Sequence, residues 1–246
     1  MPGLAEWLAS PQGRYVVEWE AARFDLLVAD IFGYNAVQIG LSQLDLLRNN
    51  RMPYRFRCDA EGEVAVRGRG TALPFASASI DLVLLPHGVE FASHPHQVLR
   101  EVERILVPEG SVIVSGFNPY SLWGARRLLA GRVGQFPWQG QYLSVRRLKD
   151  WFALLGFETQ AAEFGCHGPP VGQQKWLERS RCVDVAGGRW WPVLGGAYIL
   201  QAVKRVNGMR LILPNWRDGR SSAKALAPVA QRRGRAAQKA EDGSHG

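Results

Sequence analysis

The chain has 246 residues, of which 46% are hydrophobic and 21% charged, with a net charge of +8. This length and composition predict a globular protein with one main core, and the absence of both an 18-residue apolar run and a signal-peptide layout argues against a membrane span and secretion. We therefore expect a cytoplasmic protein. Cys58, Cys166 and Cys182 are far apart and lack CxxC spacing, which argues against a disulfide framework and a structural zinc site.

The first third of the chain predicts one helix followed by short strands. A 4, 3, 4, 3 spacing of apolar residues favours a helix over 13–32, and Gly33 follows it. Residues 35–39 are typical of a short buried strand, 42–50 of a short helix or turn, and 54–58 and 64–67 of further strands. The predicted inner face of the helix comprises Val17, Ala21, Phe24, Val28 and Ile31.

The middle of the chain predicts a strand, a helix and a strand. Residues 80–85 form an apolar run with one acid, as expected of a parallel strand covered on both faces. Pro95 suits the first turn of the next helix, Val98, Val102, Ile105 and Leu106 line its inner face, and 108–110 end it. Residues 111–115 are the next buried strand. This order implies a right-handed crossover and a parallel sheet.

The last third predicts a lid, a helix, two strands and a tail. Ser144 can cap a helix that ends at Gly156, and 157–164 and 196–204 are late strands that suit an antiparallel edge. The segment 119–143 combines basic and aromatic residues, which fits either a lid with a solvated basic face or a surface for nucleic acid. Residues 214–246 hold seven Lys/Arg against three acids, and this surplus of four is half of the net charge. They predict a disordered basic tail, either solubilising or in weak, salt-sensitive contact with RNA.

Residues 71–115 resemble one known family. Leu73-Pro74-Phe75, Ile80-Asp81-Leu82-Val83, Leu99-Arg100-Glu101 and Pro108-Glu109-Gly110 are similar to the back half of class I S-adenosylmethionine-dependent methyltransferases of the type 11 kind. The phrase from Ser115 to Pro119 further resembles a narrower bacterial group, the YafS-like methyltransferases. The resemblance implies a Rossmann-like α/β fold, with a mostly parallel sheet, an antiparallel C-terminal edge and a trimmed first half. It divides the chain into a helical segment 1–33, a methyltransferase-like domain 34–213 with the lid at about 119–143, and the tail.

The resemblance places the cofactor loop after the first strand. In the family this loop reads acid-x-Gly-x-Gly-x-Gly, and the matching positions here are Gln38, Gly40, Ser42 and Leu44. Only the first glycine is retained, and the acid is replaced by an amide that carries no charge. The resemblance therefore implies S-adenosyl-L-methionine as the cofactor, bound by a degenerate loop.

Further cofactor contacts are implied at the ends of the other strands. Asp59 is the nearest acid for the ribose hydroxyls, although it can equally be a turn residue. Arg69 stands where the family has an acid for the adenine amino group, and a guanidinium cannot accept that hydrogen bond. The backbone of Gly70 and Thr71 can still contact adenine, and Leu85 ends the fourth strand beside the cofactor.

His87 is the one candidate catalytic residue. It follows the fourth strand, where the family places residues beside the methyl donor, and it can be a general base or an ordinary loop histidine. Glu90 lies in the same neighbourhood. His94 and His96 flank Pro95 without a third ligand nearby, so we expect no metal site.

Two functions remain open at this stage. The first is a methyltransferase that acts on an unidentified acceptor. The second is a catalytically silent methyltransferase fold that binds RNA or a protein partner, because fold alone does not establish function.

Overall fold

A computed structural model describes residues 4–130, 136–170 and 191–206. These residues belong to one compact unit, Met1–Val206. The predicted basic tail, Cys182 and the Trp190 position lie outside the described residues.

A seven-stranded sheet forms the centre of this unit. Its strands are β1 (Asn35–Ile39), β2 (Tyr54–Asp59), β3 (Val66–Arg67), β4 (Ile80–Pro86), β5 (Leu106–Phe117), β6 (Phe157–Gly165) and β7 (Ala197–Lys204). The spatial order is β3-β2-β1-β4-β5-β7-β6. The first five strands pair in parallel, and β7 is antiparallel to both β5 and β6. The predicted antiparallel C-terminal edge is confirmed.

Five helices accompany the sheet in the described part of the chain. They are α1 (Leu4–Ala9), α2 (Pro11–Ala29), α3 (Pro95–Ile105), α4 (Leu122–Ala130) and α5 (Val145–Leu154). Ser144 caps α5 by accepting a hydrogen bond from the backbone of Arg147, as its sequence position predicts. Sequence patterns did not predict α1, because six residues are too few for a periodic pattern.

The predicted inner face of α2 is wrong in its first half. The buried residues are Gly13, Val16, Glu20, Phe24 and Val28, whereas Val17 and Ala21 are only half-buried. The apolar pattern misled because Glu20, a charged residue, occupies a buried position on a strict four-residue spacing. That carboxylate belongs to the site described below.

The first half of the domain is trimmed, as predicted. Between β1 and β4 the chain forms only turns and the short strands β2 and β3. The segment 42–50, predicted as a short helix or turn, is a series of turns. Consequently β1 is joined to β2, and β2 to β4, without a crossover helix, whereas α3 connects β4 to β5.

The core lies on both faces of the sheet. One apolar cluster joins α3 and α5 to β4 and β5 through residues such as Val102, Phe152 and Val114. A second cluster packs α2 against the opposite face, with Phe24, Leu84 and Ile113 fully buried. A third, mostly aromatic cluster joins α1, the end of β5 and the residues around Phe136. The burial of β4 on both faces explains its continuous apolar sequence.

Candidate functional site

A cleft of about 270 Å³ opens at the carboxyl ends of the parallel strands. In open α/β sheets this edge is where ligands bind. The lining comes from the end of β1, the end of β2, the turn after β3, and the segment after β4. Its residues are Ile39, Gly40, Asp59, Ala60, Gly68, Arg69, Gly70, Thr71, Leu85, Gly88, Phe91, Ala92, Ser93 and Val98.

Gly40 lines the cleft with open space beside its Cα. It has a φ of 83°, a left-handed conformation that glycine adopts without strain, and no atom lies within 4 Å of where its Cβ would be. The N–H of Gly40 donates to the carbonyl of Cys58, which fixes the start of the loop against the end of β2. A side chain at this position would project into open space instead of into the core.

Gln38, predicted to contact the cofactor, does not line the cleft. It is fully buried beneath the loop, where its Nε2 donates to the carbonyls of Gly40 at 3.2 Å, Leu41 at 3.0 Å and Leu44 at 2.9 Å. Its Oε1 accepts from the N–H of Leu46 at 3.0 Å. A carboxylate has no hydrogen to donate to these carbonyls, whereas the two N–H bonds of the amide are shared among all three, so Gln38 organises the loop.

Asp59 stands where the ribose contact was predicted. It is the last residue of β2 and lines the cleft, with its Oδ1 accepting from the N–H of Ala60 at 2.8 Å. Its carbonyl accepts from the N–H of Gly68 at 3.1 Å, which brings the turn after β3 to the same place. The side chain therefore stabilises a turn at the edge of the cleft, and its contact with ribose stays a prediction.

The other predicted contacts gather on the opposite wall. Gly70, Thr71 and Leu85 all line the cleft, and so does Arg69. A tight turn holds Arg69, Gly70 and Thr71, because the N–H of Ala72 donates to the carbonyl of Arg69 at 2.8 Å, and Leu85 lies in β4. Five of the six predicted cofactor residues thus surround one volume, and Gln38 supports it from below. Gly88 and Phe91 also line it, and sequence reasoning did not select them.

His87 lies just outside the cleft in a buried cluster of charges. Its Nε2 is 2.9 Å from Oε1 of Glu20 on α2, and its Nδ1 hydrogen-bonds to Oε1 of Glu90. All three residues are at most 3% exposed. The second oxygen of Glu90 accepts from the N–H of Phe117 at 2.9 Å. The cluster therefore joins α2, the segment after β4 and the end of β5.

The charges in this cluster determine what His87 can do. Burial alone lowers the pKa of His87, but the carboxylates of Glu20 and Glu90 outweigh it and raise the pKa to about 10. Burial raises the pKa of Glu90, against the opposing effects of His87 and the N–H of Phe117. A protonated imidazole has no lone pair to accept another proton, so this geometry argues against His87 as a general base.

Sequence reasoning missed Glu20, although a signal was present. Val16, Glu20, Phe24 and Val28 follow each other at intervals of four, so a carboxylate stands within an otherwise apolar stripe. A charged residue in a buried stripe is rarely tolerated without a partner. The presence of Glu20 in an apolar stripe could therefore have predicted a buried ion pair, but it could not have identified His87 as the partner.

The basic and aromatic residues of the predicted lid pack on one another. The guanidinium of Arg126 lies 4.9 Å from the ring centre of Trp138, and that of Arg127 lies 5.0 Å from the ring centre of Tyr142. Within the described residues, no group of three or more His, Cys, Asp or Glu could hold a metal ion, and no helix is long and apolar enough to cross a membrane.

Comparison with known sequences finds a family model and relatives that are similar to this chain. Residues 21–114 match the family model of a methyltransferase domain. Over 131 residues the chain is 32% identical to the uncharacterized protein YafS of Escherichia coli, an alignment that covers 52% of this chain and 55% of that protein. An uncharacterized protein of Mycobacterium tuberculosis is 26% identical over 178 residues, covering 67% of this chain and 60% of its own. The chain thus matches little more than half the length of these relatives.

Solved structures share this fold over most of the chain. A SAM-dependent methyltransferase of Thermotoga maritima superposes with a TM-score of 0.54 at 18% identity, covering 78% of this chain and 97% of the other. The chain has the fold of this methyltransferase, and residues 21–114 match the methyltransferase family model. A Haloferax volcanii protein, solved in complex with the Trm112 methyltransferase activator, superposes with a TM-score of 0.58 at 14% identity, covering 84% and 97%. The predicted Rossmann-like methyltransferase fold is therefore confirmed, and at these low identities the solved structures show the fold alone.

Proposed function

We propose that the chain transfers a methyl group from S-adenosyl-L-methionine to an acceptor molecule. The observation that carries the proposal is the cleft, in which Gly40, Asp59, Gly70, Thr71 and Leu85 from four separate segments surround one volume at the carboxyl end of the sheet. When bound, the cofactor supplies a methyl group on a positively charged sulfur. The protein's part in such a reaction is mainly positioning, which does not require a universal catalytic residue.

The residues present fit this cofactor in part. The open space at Gly40 admits a ligand close to the backbone, and the carboxylate of Asp59 can accept hydrogen bonds from ribose hydroxyls. The wall at Gly70 and Thr71 offers backbone groups to adenine. Position 38 offers no carboxylate to the ammonium group of the methionine part, because the residue there is glutamine. The amide of Gln38 is also engaged in hydrogen bonds to its own loop. Loss of one charge-assisted hydrogen bond costs on the order of 1.5 to 3 kcal/mol, so we expect weakened but measurable binding.

Calorimetry with S-adenosylhomocysteine tests this proposal directly. We expect binding by the wild-type protein, none by Gly40→Asp, and tighter binding by Arg69→Asp. The first variant places a strained, negatively charged side chain in the cleft, and the second restores an acceptor at the adenine wall. Absence of heat with millimolar ligand would refute the enzyme proposal. Unchanged affinity in Arg69→Asp would show that Arg69 does not lie at the adenine.

The second candidate is a binding module that has lost catalysis. The position of Gln38 favours it, since the loop is stabilised by this chain's own amide and does not depend on a bound ligand. A protein partner or RNA would then be the ligand, and a protein partner has a precedent in the fold, because the Haloferax volcanii neighbour was solved with an activator protein. Failure to bind S-adenosylhomocysteine would favour this candidate.

A further inference from the structure

Helix α4 directs apolar side chains outward instead of into the core. In the described part of the chain, Leu122, Leu128 and Leu129 are 57%, 77% and 90% exposed. Leu122, Ala125 and Leu129 follow a 3, 4 spacing, which places them on one side of the helix, and Leu128 lies beside them. We call these four residues the α4 leucine face. Single exposed leucines are ordinary, but several on one helix face mark a surface that binds a partner.

The opposite side of α4 fixes the helix in this orientation. Trp123 is 1% exposed, stacks on Phe117 with ring centres 5.6 Å apart, and donates its indole N–H to the carbonyl of Gly168 at 3.0 Å. At Gly124 the helix packs so closely that a Cβ would lie 2.1 Å from the carbonyl oxygen of Pro119. A rotation that buried the leucines would break these contacts, so the leucine face stays outward.

The α4 leucine face belongs to a part of the sequence that carries only positive charge. Arg126 is exposed at the border of the face, with its guanidinium 4.9 Å from the ring centre of Trp138 and a hydrogen bond to the carbonyl of Pro170. Neither partner is an acid, so the charge of Arg126 is not neutralised. Between residues 110 and 149 the sequence has no Asp or Glu and six basic residues, Arg126, Arg127, Arg132, Arg146, Arg147 and Lys149.

Aromatic residues with a polar end flank the same face. Tyr120, two residues before α4, is 70% exposed, and Trp138 is half-buried beneath Arg126. Tyrosine and tryptophan are enriched where hydrocarbon meets water, because one end of each ring system is apolar and the other forms hydrogen bonds. A partner that suits the whole surface therefore offers an apolar layer bordered by negative charge.

We propose that the α4 leucine face docks on the surface of a membrane that contains anionic lipids. The leucines enter the boundary between headgroups and acyl chains, while the basic side chains contact the lipid phosphates. Nucleic acid would pair with the arginines but leave the leucines in water. A second copy of the chain would cover the leucines but bring two surfaces of like charge together. The helix has nine residues and lies on the membrane without crossing it.

The position of α4 relates this surface to the cleft. The helix begins at Leu122, shortly after β5 ends at Phe117. Strand β5 is parallel to β4, whose residue Leu85 lines the cleft, so α4 begins at the same edge of the sheet. Docking therefore turns this edge toward the membrane. The proposal does not depend on methyl transfer, because neither cofactor nor acceptor takes part in it.

Sedimentation of the full-length protein with lipid vesicles tests the proposal. Vesicles of equal parts phosphatidylglycerol and phosphatidylcholine are compared with vesicles of phosphatidylcholine alone. The test variant combines Leu128→Gln with Leu129→Gln, and the matched control is Leu154→Gln, at a leucine of α5 that is 85% exposed. We expect the wild type to prefer the anionic vesicles and to bind less as salt rises. The double variant should bind at least about tenfold more weakly, and the control should be unchanged.

The double variant separates the leucine face from the basic tail, because it changes no charge. Binding of the double variant equal to that of the wild type would overturn the proposal, and so would equal binding of the wild type to the two kinds of vesicle. Sedimentation velocity and retention of an RNA oligonucleotide cover the other occupants. A wild-type dimer that the double variant dissociates, or RNA retention that depends on the leucines while vesicle binding does not, would also overturn it.

Urea unfolding shows whether the variants remain folded. All the substituted leucines are exposed, so we expect the same free energy of unfolding as in the wild type. Leu122→Gln, on the same face but one turn or more away, gives a second and independent test. Weaker binding to anionic vesicles in this variant, with unchanged unfolding, supports the proposal, and unchanged binding in a folded Leu122→Gln protein contradicts it.

Discussion

Gln38 shows how one buried side chain organises the loop after β1. The family pattern uses glycines to let the backbone turn closely, whereas here Leu41 has a φ of 46° and the carbonyls around it point inward to the amide of Gln38. An amide both donates and accepts, so it can satisfy carbonyls and an N–H at once. Sequence comparison identified the position but not the role, because the partners are backbone atoms whose positions only the fold determines.

The loop should therefore fail when the amide becomes an acid. In Gln38→Glu the carboxylate faces three carbonyls that it cannot pair with, and its charge is buried. We expect a loss of at least about 3 kcal/mol of unfolding free energy in urea at neutral pH. Gln160→Glu, at an exposed position of β6, should change stability by less than about 0.5 kcal/mol. Equal effects of the two variants would contradict the role of Gln38.

The charge on His87 predicts a pH dependence of stability. A histidine in an unfolded chain has a pKa of about 6.5, and the folded protein raises it to about 10. The folded state thus binds more protons than the unfolded state between these values, so the stabilisation is complete below the lower pKa and is lost as pH rises through the upper one. We expect the free energy of unfolding to fall from pH 7 to 9, with a slope approaching 1.4 kcal/mol per unit, about the value of one proton.

Nitrogen NMR of the labelled imidazoles provides the direct measurement. At pH 8.5 the His87 ring should give the two shifts of a protonated imidazole, and its signals are assigned by their disappearance in His87→Gln. Shifts of a neutral ring at that pH would contradict the buried cation. A neutral His87 would have a lone pair that can accept a proton, so it could act as a general base.

At the scale of elements, periodic and capped segments were predicted well. The run 80–85, the Ser144 cap and the Gly156 end correspond to β4 and to the two ends of α5, and Gly156 has a φ of 79°. These signals are local, so the chain carries them by itself. Short elements and element boundaries depend on tertiary contacts, so α1 was missed and β5 begins at Leu106, immediately after α3, instead of at the predicted residue 111.

Some candidate site residues could be predicted from local sequence, whereas others depend on tertiary packing. Gly40, Asp59, Gly70 and Leu85 stand at the ends of strands, and the topology of a parallel sheet brings such ends together. The cluster of Glu20, His87 and Glu90 joins α2 to the segment after β4, and the mostly aromatic core cluster around Phe136 depends on α1. Neither follows from spacing, because each requires the packing of helices that the sequence places only approximately.

At the scale of the whole molecule, the cleft belongs to the unit Met1–Val206, and the basic tail follows it in sequence. Deleting 214–246 should therefore leave the affinity for S-adenosylhomocysteine unchanged. If the tail contacts RNA, deletion should weaken RNA retention at low salt and reduce the slope of log affinity against log salt. Neutralisation of four phosphates corresponds to a slope change of about 3 for a single strand.

The control for that deletion keeps the length of the chain and removes only the charge. A full-length variant with the seven Lys/Arg after Pro214 changed to Gln should lose RNA retention to the same extent as the deletion, because phosphate contacts depend on charge and not on chain length. RNA binding that survives in both variants would place the contact in the methyltransferase domain, where Arg126 and Arg127 lie over Trp138 and Tyr142. The tail would then be solubilising only, and the lid segment would be the surface to mutate next.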